Sequence, residues 1–354
     1  MQYKNSKPDY TGQSIYAGID VHKRSWNVSI LTDELEHKTF SMPPDPEVLV
    51  NYLERTFPDG IYKCVYEAGY SGFWIYDKLK QSGVDCIVVN PADVPSQDRE
   101  KRFKTDRIDS RKLARSLRNG DIKGIHVPDI TSSQERTLVR VRQMLVKKMT
   151  QTKNQIKGIL SYYGLEGPER TYWSKQYIES IEKISLQETS GKIAVMALLD
   201  EFKRLREKIL KITNSIRDLS KTDKYIFNVK NLVTIPGIST LSAMTLLTEL
   251  GDIKRFNSFD KLNSYVGLLP GEHSSGEKEV RYSMSGRGNA FLRKMLIECA
   301  WIAARRDPAL LLSFNKFCTR MCKSKAIVKI ARKLLNRIRF VLLNHKPYEL
   351  GIIN

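Results

Sequence analysis

Between residue 14 and about residue 128, short apolar runs alternate with segments in which apolar residues recur every three or four positions. Ile15-Tyr16-Ala17-Gly18-Ile19 and Ile61-Tyr62-Lys63-Cys64-Val65-Tyr66 read as strands, and each ends on an acid, Asp20 and Glu67. Trp26 to Leu31 and His37 to Met42 read as two more, joined by a polar turn around Asp33 and Glu34, and Asp85 to Asn90 reads as a buried strand. Helical spacing falls on Pro46 to Phe57, on Gly72 to Ser82 and on Lys104 to Ala114. Three strands followed by alternating helices and strands is the order of an α/β, RNase H-like domain, expected over residues 14–128.

Beyond Pro128 the period changes to that of helix. Residues 129–225 are expected to form a long helical arm of coiled-coil type, with Ser132 or Ser133 as its cap and one break between Gly164 and Tyr172. Arg136, Arg140, Arg142, Lys147, Lys148, Lys153 and Lys157 alternate with Leu138, Val141, Leu145, Met149 and Ile156, giving a basic face and an apolar one. One side of such an arm can dimerise while the other meets phosphates. Residues 226–345 are expected to form a mostly α-helical domain. It opens with Ile235-Pro236-Gly237-Ile238, a turn like that of a helix-hairpin-helix, whose backbone N–H groups can face a DNA phosphate. Its tail, Lys323 to Arg339, is a basic amphipathic helix that should pack through Ile327, Ile330, Leu334 and Ile338.

Charge narrows the function. The 354 residues carry a formal charge of +20 and a pI near 9.6, which points to a polyanionic partner. Five cysteines, with no metal-binding spacing beyond the single pair Cys318 and Cys322, suit a reduced interior, and neither a signal-peptide core nor an 18-residue apolar stretch is found, so a soluble cytoplasmic protein is expected.

The candidate chemistry lies in four carboxylates. Asp20 and Glu67 close two strands, and Asp106 and Asp109 are three apart on a helix, where Cβ atoms come within roughly 5–6 Å. Such charges repel by about 4 kcal/mol per pair near 4 Å at an effective dielectric of 20, so the cluster implies a cation. Hard oxygen donors, taken without a His or Cys beside them, favour magnesium or manganese over zinc. Phosphodiester chemistry follows. Further along, Glu272-His273-Ser274-Ser275-Gly276 reads as a polar loop in which neither serine stands out.

Gly18-Ile19-Asp20-Val21-His22-Lys23, Tyr66-Glu67-Ala68-Gly69, Asn90-Pro91 and Lys104-Thr105-Asp106-Arg107-Ile108-Asp109 resemble the DEDD transposases of bacterial insertion sequences, whose first domain is similar to the RuvC resolvase. The resemblance continues through Ile235-Pro236-Gly237-Ile238, Phe259 to Leu262, Tyr265-Val266-Gly267-Leu268-Leu269-Pro270, Ser275-Gly276 and Gly288-Asn289-Ala290-Phe291-Leu292-Arg293. It implies an RNA-guided recombinase in which a bridge RNA pairs with donor and target DNA. Asp20, Glu67, Asp106 and Asp109 would hold magnesium, and Ser275 would attack a DNA phosphate to give a covalent phosphoserine link. The resemblance also implies dimers that pair into a tetramer on DNA, with the acids and the serine meeting between subunits. Lys104, Arg107, Arg111, Arg281, Arg287, Asn289 and Arg293 are the expected nucleic-acid contacts. Many relatives carry a Ser-Lys pair before the Gly-Asn, where this chain has Ser285-Gly286-Arg287. The rival readings are a metal-dependent nuclease resembling a junction resolvase, with water as its nucleophile, and a non-catalytic nucleic-acid-binding protein.

Overall fold

The computed structural model describes residues 9–95, 106–165, 173–275, 278–284 and 288–350. The chain forms two compact units that divide between Val127 and Pro128.

The first unit contains β1 (Ser14–Val21), β2 (Trp26–Leu31), β3 (Glu36–Met42), α1 (Pro46–Thr56), β4 (Ile61–Glu67), α2 (Trp74–Gln81), β5 (Asp85–Val89) and α3 (Asp106–Asn119). Its strands form one mixed sheet in the order β3-β2-β1-β4-β5. The β1–β2 and β2–β3 pairs are antiparallel, and β1–β4 and β4–β5 are parallel, a topology compatible with an RNase H-like domain.

Side-chain alternation assigns the two faces of the sheet. Ile15, Ala17 and Ile19 bury against Leu49, Leu53 and Phe57 of the α1 region and Ile75 and Leu79 of α2. On the other face, Tyr16 and Leu31 meet Ala114 of α3, while Val65 and Val89 meet Leu113. Gly18 is where α3 comes closest to the sheet, because a Cβ there would lie 2.1 Å from the Ser110 carbonyl oxygen and 2.4 Å from the Ala114 nitrogen. Only glycine lets the helix lie on the strand.

The second unit begins with two long helices, α4 (Ile130–Tyr162) and α6 (Thr189–Leu219), with α5 (Lys175–Glu182) between them in sequence. Asp129 caps α4 by accepting from the Ser132 N–H at 2.8 Å, so Ser132 donates to the cap where the sequence suggested that it or Ser133 was the cap. Away from their origin, α4 and α6 enclose a small core with α5, made of Ile156, Leu160, Tyr177, Ile178, Ile181, Val195, Leu199 and Phe202. At the other end Val139 and Ile216 join a larger core.

That larger core belongs to α7 (Ile226–Leu232), α8 (Thr240–Leu250), α9 (Phe259–Val266), α10 (Ala290–Arg306), α11 (Pro308–Cys318) and α12 (Lys323–Asn344). Ile327, Ile330, Leu334 and Ile338 of α12 are buried in it. The turn between α7 and α8 needs Gly237, with φ of +91° and space for a Cβ only 2.4 Å from the Cys299 carbonyl oxygen of α10. Ser239 and Ser242 form a reciprocal capping box at the start of α8.

Between α9 and α10 lies an antiparallel hairpin, β6 (Pro270–Ser275) and β7 (Lys278–Met284). The segment read from sequence as a polar loop is thus a strand. Polar residues hid it, and its pairing with the alternating Lys-Glu-Val-Arg-Tyr-Ser-Met run creates it. Among the described residues, no helix is long and apolar enough to cross a membrane.

Candidate active site

Backbone register positions the first two acids. Ile19 pairs with Tyr66 across the parallel β1–β4 ladder, so the residues that follow, Asp20 and Glu67, emerge side by side at the carboxyl ends of adjacent strands. Residues 18 and 20 share the face covered by α3, and the close contact at Gly18 lays that helix over β1. A buried hydroxyl chain fixes its rotation: Ser110 Oγ lies 2.8 Å from Ser29 Oγ, which lies 2.8 Å from Thr39 Oγ1. Ser29 is the cross-strand partner of Gly18. The first turn of α3, with Asp106 and Asp109, is thereby brought to Asp20. Acids in a first helical turn also face the positive end of the helix dipole.

Burial pushes the Asp20 carboxyl above its ordinary pKa, and the charges of Asp106 and Asp109 add to the rise, while His22 opposes it. Loss of solvent is the main cause, and the neighbouring carboxylates add a smaller contribution of the same sign. Sequence reasoning passed over His22. Its Nε2 lies 3.1 Å from Asp20 Oδ2 and 3.5 Å from Asp106 Oδ2. The signal was present, because residues two apart on a strand point the same way and Asp20-Val21-His22 runs off the end of β1.

The basic residues expected around these acids have varied positions. Lys104 lies outside the described residues, and Arg107 lies on α3. Arg111 Nε pairs with Glu36 Oε1 at 2.5 Å, and Arg115 reaches the other oxygen at 3.1 Å, so both tie α3 to β3. On α4, two members of the expected basic face have partners within the protein: the half-exposed Arg140 binds Glu249, and Arg142 donates to Thr213 Oγ1 at 2.8 Å.

Ser275 is the last residue of β6 and pairs with Lys278, and Arg281 on β7 pairs with Glu272. Arg287 lies outside the described residues. The feet of this hairpin are clamped. Gly288, with φ of +94°, sits so close to Gly267 that a Cβ would lie 2.7 Å from its nitrogen. The Asn289 N–H donates to the Tyr265 carbonyl at 2.7 Å, and Arg293 donates to the Gly267 carbonyl at 3.2 Å. The Asn289 side chain caps α10 by accepting from the Leu292 N–H at 3.1 Å and donates to Glu249 Oε2 at 2.7 Å. Glu249 is fully buried, and its carboxylate also receives Arg140 Nε at 2.5 Å and an Arg140 terminal nitrogen at 2.8 Å. Asn289 and Arg293, expected at nucleic acid, also join the segments that flank the hairpin.

Comparison with known proteins bears on both regions. A model described as Transposase, for DEDD enzymes of the IS110 type, matches residues 17–164, and one described as Transposase IS116/IS110/IS902 family matches residues 229–314. The chain belongs to the DEDD transposases of insertion sequences. Among its relatives, a putative transposase y4qE of Sinorhizobium fredii is 31% identical over 241 residues, covering 68% of this chain and 58% of that protein. The transposase for insertion sequence element IS1111A of Coxiella burnetii is 26% identical, covering 80% of this chain and 78% of the relative. For the transposase of element IS1533 of Leptospira borgpetersenii the identity is 26%, over 92% of this chain and 96% of the relative. As a transposase of this family the chain is an enzyme of DNA, and its DEDD domain implies dependence on a divalent metal. The first matched region holds Asp20, Glu67, Asp106 and Asp109, and the second holds Glu249, Ser275 and Asn289.

Proposed function

We propose that this transposase is an RNA-guided recombinase that cuts and rejoins DNA through Ser275, using magnesium or manganese held by Asp20, Glu67, Asp106 and Asp109. The observation that carries the reading is the placement of Asp20 beside Glu67 by the β1–β4 register, with the first turn of α3 delivered to them over Gly18. The donor set fits a hard divalent ion, because a cation beside Asp20 offsets both the burial of its carboxylate and the lesser repulsion from Asp106 and Asp109. When bound, such an ion supplies positive charge at the scissile phosphate.

The remaining work falls to the chain's own groups. Ser275 Oγ attacks phosphorus and forms an Oγ–P bond as the bond to a deoxyribose oxygen breaks. The serine proton passes to a base, and the departing oxygen gains a proton in turn. One phosphodiester replaces another, so a new DNA hydroxyl reverses the step without ATP. A guide RNA pairing with donor and target DNA accounts for specificity, since base pairing rather than side chains then reads sequence. The charge of +20 supports binding two kinds of nucleic acid, and assembly of dimers into a tetramer on DNA completes the proposal.

A second reading has one observation in its favour. All four acids belong to the first compact unit, where ligand atoms of Asp20 and Asp106 come within 4.8 Å of each other, and a nuclease using a water nucleophile needs no more than that unit. The two readings separate at Ser275→Ala. Recombination predicts loss of strand cleavage with DNA bearing the element ends, whereas the nuclease predicts undiminished hydrolysis. Asp20→Ala should abolish metal-dependent cleavage under either, and activity unaffected by it removes the acids from the reaction. Sequencing RNA that copurifies with the protein and its element ends tests the guide, and the absence of a discrete non-coding RNA refutes that part.

A further inference from the structure

We propose that His22 is itself a ligand of the divalent ion, binding through Nε2 alongside Asp20 and Asp106, and that it turns the site's preference toward manganese over magnesium. The inference rests on the metal site proposed above. It adds a nitrogen donor to a set otherwise made of oxygen.

The geometry points to ligation. One ligand atom from each of Asp20, His22 and Asp106 lies within 4.8 Å of the others, and among the described residues no other histidine joins such a cluster. Around an octahedral ion with bonds of about 2.1–2.2 Å, neighbouring donors stand about 3 Å apart and opposite donors about 4.3 Å apart. The 3.1 Å and 3.5 Å separations from His22 Nε2 to the two carboxylate oxygens are close to the spacing of neighbouring donors. The chain supports the same placement, because His22 immediately follows Val21, the last residue of β1, and its ring reaches back to Asp20 two residues earlier. His22 stays half-exposed beside a more sheltered Asp20, so an ion from solvent can reach both.

Chemistry supplies the preference. Magnesium takes oxygen almost exclusively and parts reluctantly with water, whereas an imidazole nitrogen strengthens the hold on a transition ion. In its neutral form His22 offers Nε2 as a lone-pair donor without adding charge to the crowded acids. An ordinary hydrogen bond between His22 and Asp20 is the competing explanation, and it places no nitrogen on the metal.

Pulsed electron paramagnetic resonance on the full chain loaded with manganese alone decides between them. The proposal expects nitrogen-14 coupling from a directly bound imidazole, lost in His22→Ala. Manganese affinity in that variant should fall about tenfold, a loss typical of removing one supporting group at a metal site. Magnesium affinity, read by competition, should change far less. His22→Asp should restore manganese binding without nitrogen coupling. Bound manganese that is lost in Asp20→Asn yet shows no nitrogen coupling, or coupling that survives His22→Ala, overturns the role of His22 and leaves the acidic site intact. If the wild-type chain and Asp20→Asn hold manganese equally, the acidic site fails and this inference falls with it.

Discussion

The acidic cluster and the serine hairpin are built in opposite ways. In the first, a regular sheet does the positioning: two parallel strands in register carry Asp20 and Glu67 at their carboxyl ends, and one glycine admits the helix that carries Asp106 and Asp109. In the second, the segments that flank a short hairpin are joined by a network centred on one buried carboxylate, Glu249. That network joins residues distant in sequence, Arg140 of α4, Glu249 of α8 and Asn289 at the start of α10. A site on a sheet end is held by backbone geometry, while a site on a hairpin depends on whatever clamps its base.

Breaking the clamp should have the largest effect. Arg140→Ala leaves the buried Glu249 carboxylate with Asn289 but without its ionic partner; since Arg140 is itself half exposed, the loss should be about 1.5–3 kcal/mol, the range for hydrogen bonds to a charged group. Denaturant unfolding should report it as a destabilised second unit, with the first unit's transition unmoved. The double variant Arg140→Leu with Glu249→Leu should be less damaging than Arg140→Ala alone, because it removes both charges. Equal damage from the two would mean that apolar contacts, and not the ion pair, hold the hairpin.

Next in size is the contact at Gly18. Gly18→Val forces side-chain atoms into the Ser110 and Ala114 backbone and should cost about 1–3 kcal/mol, the range for overpacking. Because it pushes α3 away from β1, metal affinity should fall with it, as measured by manganese titration. Wild-type affinity in a destabilised Gly18→Val would show that the register of β1 and β4 suffices without the helix.

These two tests follow the line between what was legible in the sequence and what was not. The strands carrying Asp20 and Glu67 at their carboxyl ends, the helix of Asp106 and Asp109 and the buried face of α12 could be read because each follows a local period. His22 was readable by the same two-residue rule but was overshadowed by the acids. The β6 strand was not, since Gly-Glu-His-Ser-Ser has no apolar alternation and exists only through its partner. Asn289 next to Gly288 at a helix start carries the local mark of a cap, yet its bond to Glu249 crosses 40 residues that no pattern connects. Arg140 likewise looked like one more cation on a solvated face until the fold placed it on a buried carboxylate.

The smallest expected effect concerns Asp20 without metal. Its folded pKa lies above its unfolded value, so the folded state binds the proton more tightly, and ionisation above the folded pKa lowers stability. Asp20→Asn should therefore raise the melting temperature of the metal-free protein near neutral pH. The gain should shrink as pH falls through the folded pKa and vanish below the unfolded one. An Asp20→Asn variant less stable than wild type at neutral pH would show that His22 outweighs burial at this carboxylate.

The central claim is that the metal-binding acids and the Ser275 hydroxyl serve one phosphodiester exchange. The most direct measurement is peptide mapping by mass spectrometry of protein trapped on nicked DNA bearing the element ends, in the presence of magnesium and the copurified RNA. The account predicts a nucleotide adduct on Ser275, absent from Asp20→Ala and from samples stripped of metal. An adduct on Ser274, or cleaved DNA with no protein attached, would contradict it.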